Sequence, residues 1–412
     1  MTPPAQSAAA GLPTQPMTEL PDSAELVVVG GGLMGSMTAW AANRRGLGVL
    51  LLEQFDIGHD RGSSHGSARI VRRAYPDPLY ARLTGQAFQG WRELERDAAV
   101  ALLRITGGLD HGEHRDVPAI ARTLSELGIA HELLDPAAAV RRWPGMVFTT
   151  DVLYHPHAGT VDAAAAVRAA VSRAAARGAV VATGTRVTAV RSAPDGSAVV
   201  STDRGEVRAA RVAVAAGAWA ESLLCPLLRD ADVAIPPLQV TQQQVFHFAR
   251  QPDVPEWPVT VHEATLSTYG LPGGRDGGPD GARKVAEHFA PVPAGAPTTA
   301  EHRSGLVDPE ARRRIVEYVQ RWLPGLDPRP FAESTCLYTT TPSEDFVLDR
   351  VGPVVVCSAC SGHGAKFAPL IGEMVVDLII GIGADGYPAR AEPRFSLPPV
   401  ARTGRLVSRL AV

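Results

Sequence analysis

The sequence predicts an α/β protein in which a Rossmann-like, dinucleotide-binding domain receives an inserted second domain of α+β type. The first observation is a strand, a glycine-rich turn, a helix and a second strand within residues 26–52. The second is another strand, glycine turn and helix at 354–380. The third is the middle segment 225–329, in which prolines and glycines are crowded. Similar units at both ends indicate that the terminal regions form one domain around the inserted middle.

The turn at 30–35 has the sequence GGGLMG, which fits G-x-G-x-x-G, and it follows the apolar strand at 26–29. In this motif the first glycine permits a tight turn, the second lets a pyrophosphate approach the backbone, and the third lets helix and strand pack closely. The N-terminus of the helix then offers unpaired N–H groups to the phosphates. Glu53 follows the strand at 49–52, where an acid binds the ribose hydroxyls. The motif leaves open whether the dinucleotide is NAD or FAD.

Hydrophobic periodicity assigns the remaining elements. An aspartate, Asp308, precedes Pro309 and predicts a capped helix start there. The turn-rich stretch 270–282 is predicted to be a loop. Helices are predicted over 79–97, 117–127, 162–177, 309–323 and 369–380, and strands over 180–181, 186–191, 198–202, 211–215, 243–248, 283–288 and 354–358.

Composition excludes several classes of function. The 412 residues suffice for two domains, and 45% hydrophobic with 20% charged residues is typical of a globular protein. A net charge of −3 argues against a general nucleic-acid or membrane-surface binder. No apolar stretch approaches the ~20 residues that span a bilayer. Residues 1–23 lack a basic start and an apolar core, so they predict a disordered tail and not a signal peptide.

The cysteines indicate a reducing compartment. The four of them, Cys225, Cys336, Cys357 and Cys360, show no disulfide framework. Although Cys357 and Cys360 form a C-x-x-C pair, no second cysteine or histidine pair completes a metal site at zinc-like spacing. We therefore predict a cytoplasmic protein without a metal centre.

Four motifs in order carry a resemblance to a known family. They are the glycine turn, GSSHGSARIVR at 62–72 with the Ala-Tyr pair after it, CLYT at 336–339 and SGHGAKF at 361–367, with weaker support from RWPG at 142–145 and GAW at 217–219. On these motifs the chain resembles the sarcosine oxidase family of flavin amine oxidases over most of residues 25–397. The resemblance favours FAD over NAD. It implies a Rossmann-like FAD-binding domain with an inserted, mainly antiparallel-sheet substrate domain.

The resemblance also suggests domain boundaries. The FAD-binding domain would comprise 24–101, 161–222 and 334–397, and the substrate-binding domain 102–160 and 223–333. The tails would be 1–23 and 398–412.

The resemblance implies a covalent flavin. The family's matching cysteine forms a thioether with the 8α-methyl group of the flavin, so Cys336 is the expected attachment point. His65 is expected to contact the flavin or to support Arg69. The residues expected to bind the cofactor are Gly30, Gly32, Leu33, Met34, Gly35, Glu53, Ser63, His65, Arg69, Arg72, Val187, Gly217, Trp219, Cys336, Gly362, Gly364 and Lys366.

The expected catalytic residues follow from the same resemblance. Arg69 and Lys366 match residues that hold the substrate carboxylate, a charge that needs cationic partners when it is buried. Arg72 would instead order the loop or screen the flavin. Lys284 and His288 lie at 283–288, where positions 284, 286 and 288 of a strand share one face. The resemblance implies that Lys284 activates oxygen as a cation and that His288 lies at the substrate.

The implied reaction is oxidation of a C–N bond in an N-substituted amino acid by FAD, with O2 reduced to H2O2. Tyr338 would border the substrate cavity. Ala365, Thr268 and the pair Ser67-Ala68 stand where relatives carry larger side chains, which favours a larger and more apolar cavity. An N-alkyl glycine with a bulky substituent would then release glyoxylate and a free amine, as suits a biosynthetic pathway such as that of an antibiotic.

Three alternatives remain at this point. A methyl-oxidising enzyme would release formaldehyde, a flavin amine dehydrogenase would pass electrons to a carrier, and a non-enzymatic flavin-fold subunit would catalyse nothing. We expect a monomer whose partners are a small-molecule substrate and O2, without nucleic acid or membrane.

Overall fold

The computed structural model describes residues 19–278, 281–289, 297–383 and 392–398. Residues 1–18 of the predicted N-terminal tail and 399–412 of the predicted C-terminal tail lie outside them. The strands are β1 (Ser23–Val29), β2 (Val49–Leu52), β3 (Arg69–Arg72), β4 (Leu103–Ile105), β5 (Gly108–His111), β6 (Glu132–Leu134), β7 (Val152–His155), β8 (Ala158–Val161), β9 (Val180–Ala182), β10 (Val187–Ser192), β11 (Ala198–Thr202), β12 (Gly205–Val214), β13 (Gln239–Arg250), β14 (Val259–Glu263), β15 (Ser267–Pro272), β16 (Arg283–Glu287), β17 (Leu326–Thr340), β18 (Val347–Val351) and β19 (Val354–Ser358).

The helices begin largely where the sequence predicts. They are α1 (Leu33–Arg44), α2 (Pro78–Ala98), α3 (Val117–Glu126), α4 (Pro136–Arg142), α5 (Ala163–Ala176), α6 (Ala220–Asp230), α7 (Pro309–Trp322) and α8 (Ala368–Ile380). An aspartate carboxylate accepts a backbone N–H at the start of α2, α3, α4, α5 and α7, which satisfies a donor that the helix leaves free. The predicted cap at α7 is confirmed, because Asp308 Oδ1 accepts from Glu310 N at 3.0 Å.

The first sheet confirms the Rossmann-like prediction. Its order is β10-β11-β12-β1-β2-β9, with β19 beside β12 and β18 beside β19. The pairs β9–β2, β2–β1, β1–β12 and β12–β19 are parallel. Leu26 and Val28 of β1 pack on the side of α1, α5 and α8, and Val27 and Val29 pack on the side of α6. Both faces are therefore covered, as a parallel sheet requires.

The second sheet confirms the mainly antiparallel prediction. Its order is β17-β13-β16-β15-β14-β5-β7-β6, and only β5 and β14 among its neighbours run parallel. Phe246 of β13 and Val285 of β16 are register partners and pack in one cluster with Ile315 and Trp322 of α7. Because side chains alternate along a strand, the residues on either side of these point to the opposite face. That face bounds the cavity described below.

A third sheet, β3-β8-β4, brings β3 against the inserted part of the chain. Two features differ from the sequence prediction. The predicted loop at 270–282 is wrong at its start, because β15 continues to Pro272, with Leu271 paired to Lys284 of β16. Strand pairing there outweighs the turn preference of glycine and proline. In addition, β17 runs through the predicted domain boundary at 334 and pairs with β13 on both sides of it.

A buried histidine pair lies on the α7 side of the second sheet. The rings of His111 and His262 stack with centroids 4.2 Å apart, and His262 Nδ1 lies 2.9 Å from the hydroxyl of Tyr318. Burial lowers the pKa of His262 to about 4, and burial together with the charge of its neighbour lowers the pKa of His111 well below its ordinary value. Both imidazoles are therefore neutral at pH 7.

We expect this pair to make the fold sensitive to acid. The unfolded chain binds more protons below pH ~6.5. Stability is therefore fully present above that pH and is lost as the pH falls towards 4. For His262 the loss is about 2 kcal/mol at pH 5. The free energy of unfolding is measured in urea at pH 7.5 and at pH 5.0. We expect the difference between the two values to be smaller in His262→Gln than in the wild type by that amount. The exposed His114 offers a control, and an unchanged difference in H262Q would contradict the assignment.

Candidate active site

A cavity of about 840 Å³ is bounded by residues of both large sheets. It collects nearly all residues that the sequence predicted for the site. Gly35 and His65 are not among the residues that line it. The lining residues among those predicted are Gly30, Gly32, Leu33, Met34, Glu53, Ser63, Arg69, Arg72, Val187, Gly217, Trp219, Lys284, His288, Cys336, Tyr338, Gly362, Gly364 and Lys366.

The glycine turn between β1 and α1 leaves its backbone open to the cavity. Gly30 has φ +101°, and a Cβ there would lie 2.6 Å from the carbonyl oxygen of Ala215. A Cβ on Gly35 would lie 1.8 Å from the oxygen of Gly30, so this glycine packs under the turn and away from the cavity. Ser64 Oγ accepts from Leu33 N at 2.9 Å. These are the close approaches that a dinucleotide turn requires.

Glu53 is held directly beside this turn. Its side chain is buried, Oε2 accepts from Gly31 N at 2.7 Å, and Oε1 accepts from Phe55 N at 2.9 Å. A buried carboxylate at the end of β2 is where a ribose acid is needed. The turn, the acid and the open backbone together fit the adenosine half of a dinucleotide.

Cys336 lies on β17 and faces the cavity from the second sheet. The thiol is buried, and burial raises its pKa, although the charges of Arg69 and Lys284 act in the opposite direction. Ser63 fixes the first-domain loop against the same strand, because its Oγ donates to the carbonyl of Leu337 at 2.5 Å. Cys336 is a free thiol, and it is available to a ligand in the cavity.

Arg69 orders the loop at 62–68. Its guanidinium donates to the carbonyl of Ala68 at 3.0 Å, to that of Ser63 at 3.3 Å and to that of His65. Burial is the largest cause of the lowered pKa of Lys284, and the charge of Arg69 is the next largest. The predicted pairing of Arg69 with Lys366 is therefore not what the structure brings together.

Arg72 is the arginine beside Lys366. The guanidinium of Arg72 lies 4.6 Å from the ring centroid of Tyr75, and Lys366 Nζ lies 5.8 Å from the same ring. Burial, followed by the Arg72 charge, holds the pKa of Lys366 well below its ordinary value. Lys366 Nζ donates to the carbonyl of His363 at 2.7 Å. Arg72 and Lys366 thus place two cationic side chains beside one aromatic ring on the cavity wall.

Lys284 and His288 lie near different charges. Burial, and then Arg69, lowers the pKa of Lys284 to about 7. His288 follows the last residue of β16, so it lies just beyond the strand on which the sequence placed it. Burial, and then Lys366 and Arg72, lowers its pKa to about 3, so the imidazole is neutral at pH 7. His288 thus borders the Arg72–Lys366 pair, and Lys284 borders Arg69 and Cys336.

Tyr338 and Tyr269 complete the wall at His288. The ring of His288 lies 6.0 Å from that of Tyr338 and 6.4 Å from that of Tyr269. A Cβ on Gly362, whose φ is +69°, would lie 2.7 Å from the ring of Tyr338 and 3.0 Å from that of His288. Burial raises the pKa of Tyr269 to about 12, so it stays a neutral hydroxyl. The sequence prediction missed Tyr269, although the alternation of β15 with β16 would have indicated it.

The bulk-loss prediction is corrected at one position. The hydroxyl of Ser67 donates to Asp276, and Ser67 does not line the cavity, so it does not enlarge the substrate space. Thr268 and Ala68 do line the cavity, and the Thr268 hydroxyl donates to the carbonyl of His262 at 3.3 Å. Ala365 does line the cavity, and it also packs on the cluster between α1 and α5.

His65 lies within the loop at 62–68 that Arg69 orders. Burial, and then the Arg69 charge, lowers its pKa to about 4, and its Nε2 is buried without a hydrogen-bond partner in the described residues. A neutral, unpartnered imidazole beside Arg69 agrees with a supporting position near a ligand. The described part of the chain contains no group of three or more His, Cys, Asp or Glu side chains that would hold a metal ion. Its helices also include none of the length and apolarity that a membrane span requires.

Comparison with known proteins adds a family. Residues 25–378 match the family DAO, FAD dependent oxidoreductase. The chain is 32% identical to peroxisomal sarcosine oxidase of Mus musculus over 377 residues, which are 86% of this chain and 91% of that protein. It is 31% identical to monomeric sarcosine oxidase of Streptomyces avermitilis over 380 residues, which are 88% of this chain and 95% of that protein.

A solved structure is similar over nearly the same span. NikD, described as an unusual amino acid oxidase essential for nikkomycin biosynthesis, matches with a TM-score of 0.79 and 26% identity. The match covers 92% of this chain and 98% of NikD. Glycine oxidase from Geobacillus kaustophilus shares the fold, with a TM-score of 0.72 at 19% identity.

Proposed function

The chain belongs to the FAD dependent oxidoreductase family, and from this membership we propose that it is an FAD-dependent oxidase of amines that carry a carboxylate. The observation that carries the proposal is that the buried Lys366 and the partly buried Arg72 share the ring of Tyr75 on the wall of the cavity. A carboxylate is the ligand that matches two such neighbouring cations. The sarcosine oxidases among the relatives support an amine as the group to be oxidised.

The chain would hold FAD along the wall that begins at the glycine turn. The turn at 30–35 would receive the pyrophosphate, Glu53 would accept hydrogen bonds from the ribose, and Cys336 would lie at the flavin end. When bound, FAD supplies the oxidation of the C–H bond next to the amine nitrogen and passes the electrons to oxygen. The part of the protein is to bind, orient and tune charge.

The substrate end follows from the charges of the site. Arg72 and Lys366 bind the carboxylate and thereby fix the carbon next to it. The same two cations, together with burial, lower the pKa of the bound amine, so the amine sheds its proton before oxidation. His288 is neutral and therefore does not add to the positive charge there. Tyr338 and Tyr269 border the remaining space.

The oxygen end depends on Lys284. This lysine is buried on the cavity face of β16, and Arg69 and Cys336 are the neighbours whose charges act on it. A fixed cation stabilises the negative charge that oxygen acquires as it is reduced. Lys284 therefore supports an oxidase that forms H2O2 over a dehydrogenase that uses an electron carrier.

For the substrate we propose an N-substituted glycine, oxidised at the glycine CH2 to release glyoxylate and a free amine. The small side chain of Ala365 on the cavity wall supports the presence of space for a substituent on nitrogen. The likeness to NikD supports a biosynthetic role. The sarcosine oxidase relatives favour a second candidate, in which an N-methyl group is oxidised and formaldehyde is released.

The test is a substrate screen with product analysis. Sarcosine and N-alkyl glycines of increasing length are supplied under air, and H2O2, glyoxylate and formaldehyde are each measured. Glyoxylate in amounts equal to H2O2 supports the first candidate, and formaldehyde supports the second. Substrate oxidation that requires an added electron acceptor and yields no H2O2 would contradict an oxidase.

We expect the flavin to be attached covalently through Cys336. Acid precipitation of the wild-type protein should leave the yellow colour in the pellet, and Cys336→Ser should release it to the supernatant, because serine forms no thioether. Cys357→Ser is the matched control, since Cys357 is also a buried free thiol on the cavity wall. Colour that leaves the wild-type pellet would contradict the attachment. We further propose a monomer, which light scattering of the purified protein measures.

A further inference from the structure

Arg115 is a buried arginine on the cavity wall that the proposed reaction does not use. It lies between β5 and α3, and its side chain is 9% exposed. Its Nη1 donates to Glu263 Oε1 at 2.7 Å, and its Nε and Nη2 donate to Asp110 Oδ1 at 2.9 and 2.5 Å. Glu263 ends β14 and also lines the cavity. One guanidinium is thus held by two carboxylates at the edge of the substrate space.

Asp110 connects this ion pair to the carboxylate site. Its Oδ1 lies 3.6 Å from Arg72 Nη1, and its Oδ2 lies 3.6 Å from His155 Nε2. Burial acts to raise the pKa of Asp110, but the charges of Arg115 and Arg72 hold it below the ordinary value. The carboxylate is therefore charged, and it bridges the two arginines.

The charges in this array balance except at one residue. Arg72 and Arg115 face Asp110 and Glu263, so two guanidiniums meet two carboxylates. Lys366 has no carboxylate partner among the residues that the structure describes. The array therefore offers one site for a negative group, at Lys366 and Arg72, and the Glu344 carboxylate near Glu263 adds a further negative charge at the other end.

A second carboxylate on the ligand that approached Arg115 would also approach Glu263, which Arg115 Nη1 binds at 2.7 Å. Such a group would face the charge of Glu263 while it lost its own water, and burying an unpaired charge is costly. Like charges placed against an unwanted ligand are a common source of specificity.

We propose that the Arg115–Glu263 ion pair restricts the cavity to substrates with a single carboxylate. Glu263 determines specificity because it already accepts the hydrogen bond from Arg115 Nη1 that a second ligand carboxylate would otherwise accept. This inference rests on the proposed function, because it takes the Arg72–Lys366 pair as the site of the substrate carboxylate.

The test replaces Glu263 and measures binding, with turnover as a second readout. Acetate and succinate serve as probes with one and two carboxylates, and calorimetry on the flavin-containing protein gives their Kd values. In Glu263→Gln we expect succinate to bind about tenfold more tightly, a difference of about 1.4 kcal/mol, and acetate to change less than twofold. In turnover, kcat/KM for N-methylaspartate should rise relative to that for sarcosine.

Two further variants separate this reading from a general charge effect. Glu301→Gln removes an exposed carboxylate that lines the same cavity and has no ion pair in the described residues, so it should leave the succinate-to-acetate ratio unchanged. Arg115→Gln combined with Glu263→Gln should abolish the gain. Equal gains in E263Q and E301Q, or no gain in E263Q, would overturn the proposal. Glu263→Ala replaces E263Q if the latter does not retain flavin.

The outcomes also separate the inference from the proposed function. A protein that binds acetate at the Arg72–Lys366 pair but oxidises no N-substituted amino acid would contradict the proposed function alone. A protein that oxidises sarcosine with H2O2 formation, yet shows no change of selectivity in E263Q, would contradict the inference alone.

Discussion

Replacing Lys284 with methionine is expected to slow the reaction with oxygen by about 10²- to 10³-fold, the loss seen when one preorganised electrostatic contact to a developing oxyanion is removed. The oxidation of substrate by an artificial electron acceptor should change only a few-fold. Methionine keeps most of the length of the side chain and removes its charge. Since we propose that the substrate carboxylate binds at Arg72 and Lys366, we expect substrate binding to lose no contact in this variant.

The measurement is oxygen consumption beside anaerobic turnover with a dye. Lys366→Met is the matched control, because it removes a buried lysine of the same cavity that is expected to serve the substrate and not oxygen. The pKa of Lys284 is about 7, so the oxygen rate should fall as the pH rises through that value and the cation is lost. Equal losses in both half-reactions of K284M would contradict the assignment of Lys284 to the reaction with oxygen.

Replacing Arg72 with glutamine is expected to weaken binding of the substrate carboxylate by about 2–5 kcal/mol, the cost of removing one partner of a buried charge pair. The loss corresponds to on the order of 30- to several-thousand-fold in kcat/KM. Arg69→Gln should behave differently, because Arg69 donates to the backbone of the loop at 62–68. We expect that variant to lose flavin or thermal stability before it loses affinity for acetate.

Acetate binding by calorimetry and steady-state kinetics distinguish the two arginines. Arg72→Lys keeps the charge that Asp110 faces and should recover part of the affinity, which a merely structural role would not predict. If Arg69→Gln proved the variant with the larger loss of acetate affinity, the original pairing of Arg69 with Lys366 would be restored.

The dinucleotide half of the fold could be predicted from the sequence because its signal is local. The strand, the turn at 30–35, the helix and Glu53 follow one another within one short segment, and each has a residue type that its position demands. Neighbours in sequence are neighbours in space there. The capped start of α7 was predictable for the same reason.

The different roles of Arg69 and Arg72 could not be predicted in this way. They lie three positions apart at the two ends of β3, so an ideal strand would project them from opposite faces, yet both line the cavity. Which face meets Lys366 depends on how β3 pairs with β8, which the pattern of residues does not encode. The resemblance identified the motif, but it did not determine which of its two arginines lies beside Lys366.

The array of Asp110, Arg115 and Glu263 was missed for a related reason. Asp110 reaches Glu263 through the parallel pairing of β5 with β14, in which Asp110 is the register partner of Val261. These strands are far apart in the chain. No local signal marks a buried aspartate in a short strand as part of a site, since single charged residues are usually exposed.

The order of strands in the first sheet has a consequence for how the polypeptide reaches its native state. β1 is the first strand of the described residues, yet one of its two neighbours is β12, and β12 in turn pairs with β19. Pairings between such distant segments form late, because long loops must close first. The sheet that carries the glycine turn is therefore complete only after β19 has been synthesised. A cofactor that binds only the finished sheet stabilises it by mass action, so flavin supply is expected to govern how much of the protein escapes degradation.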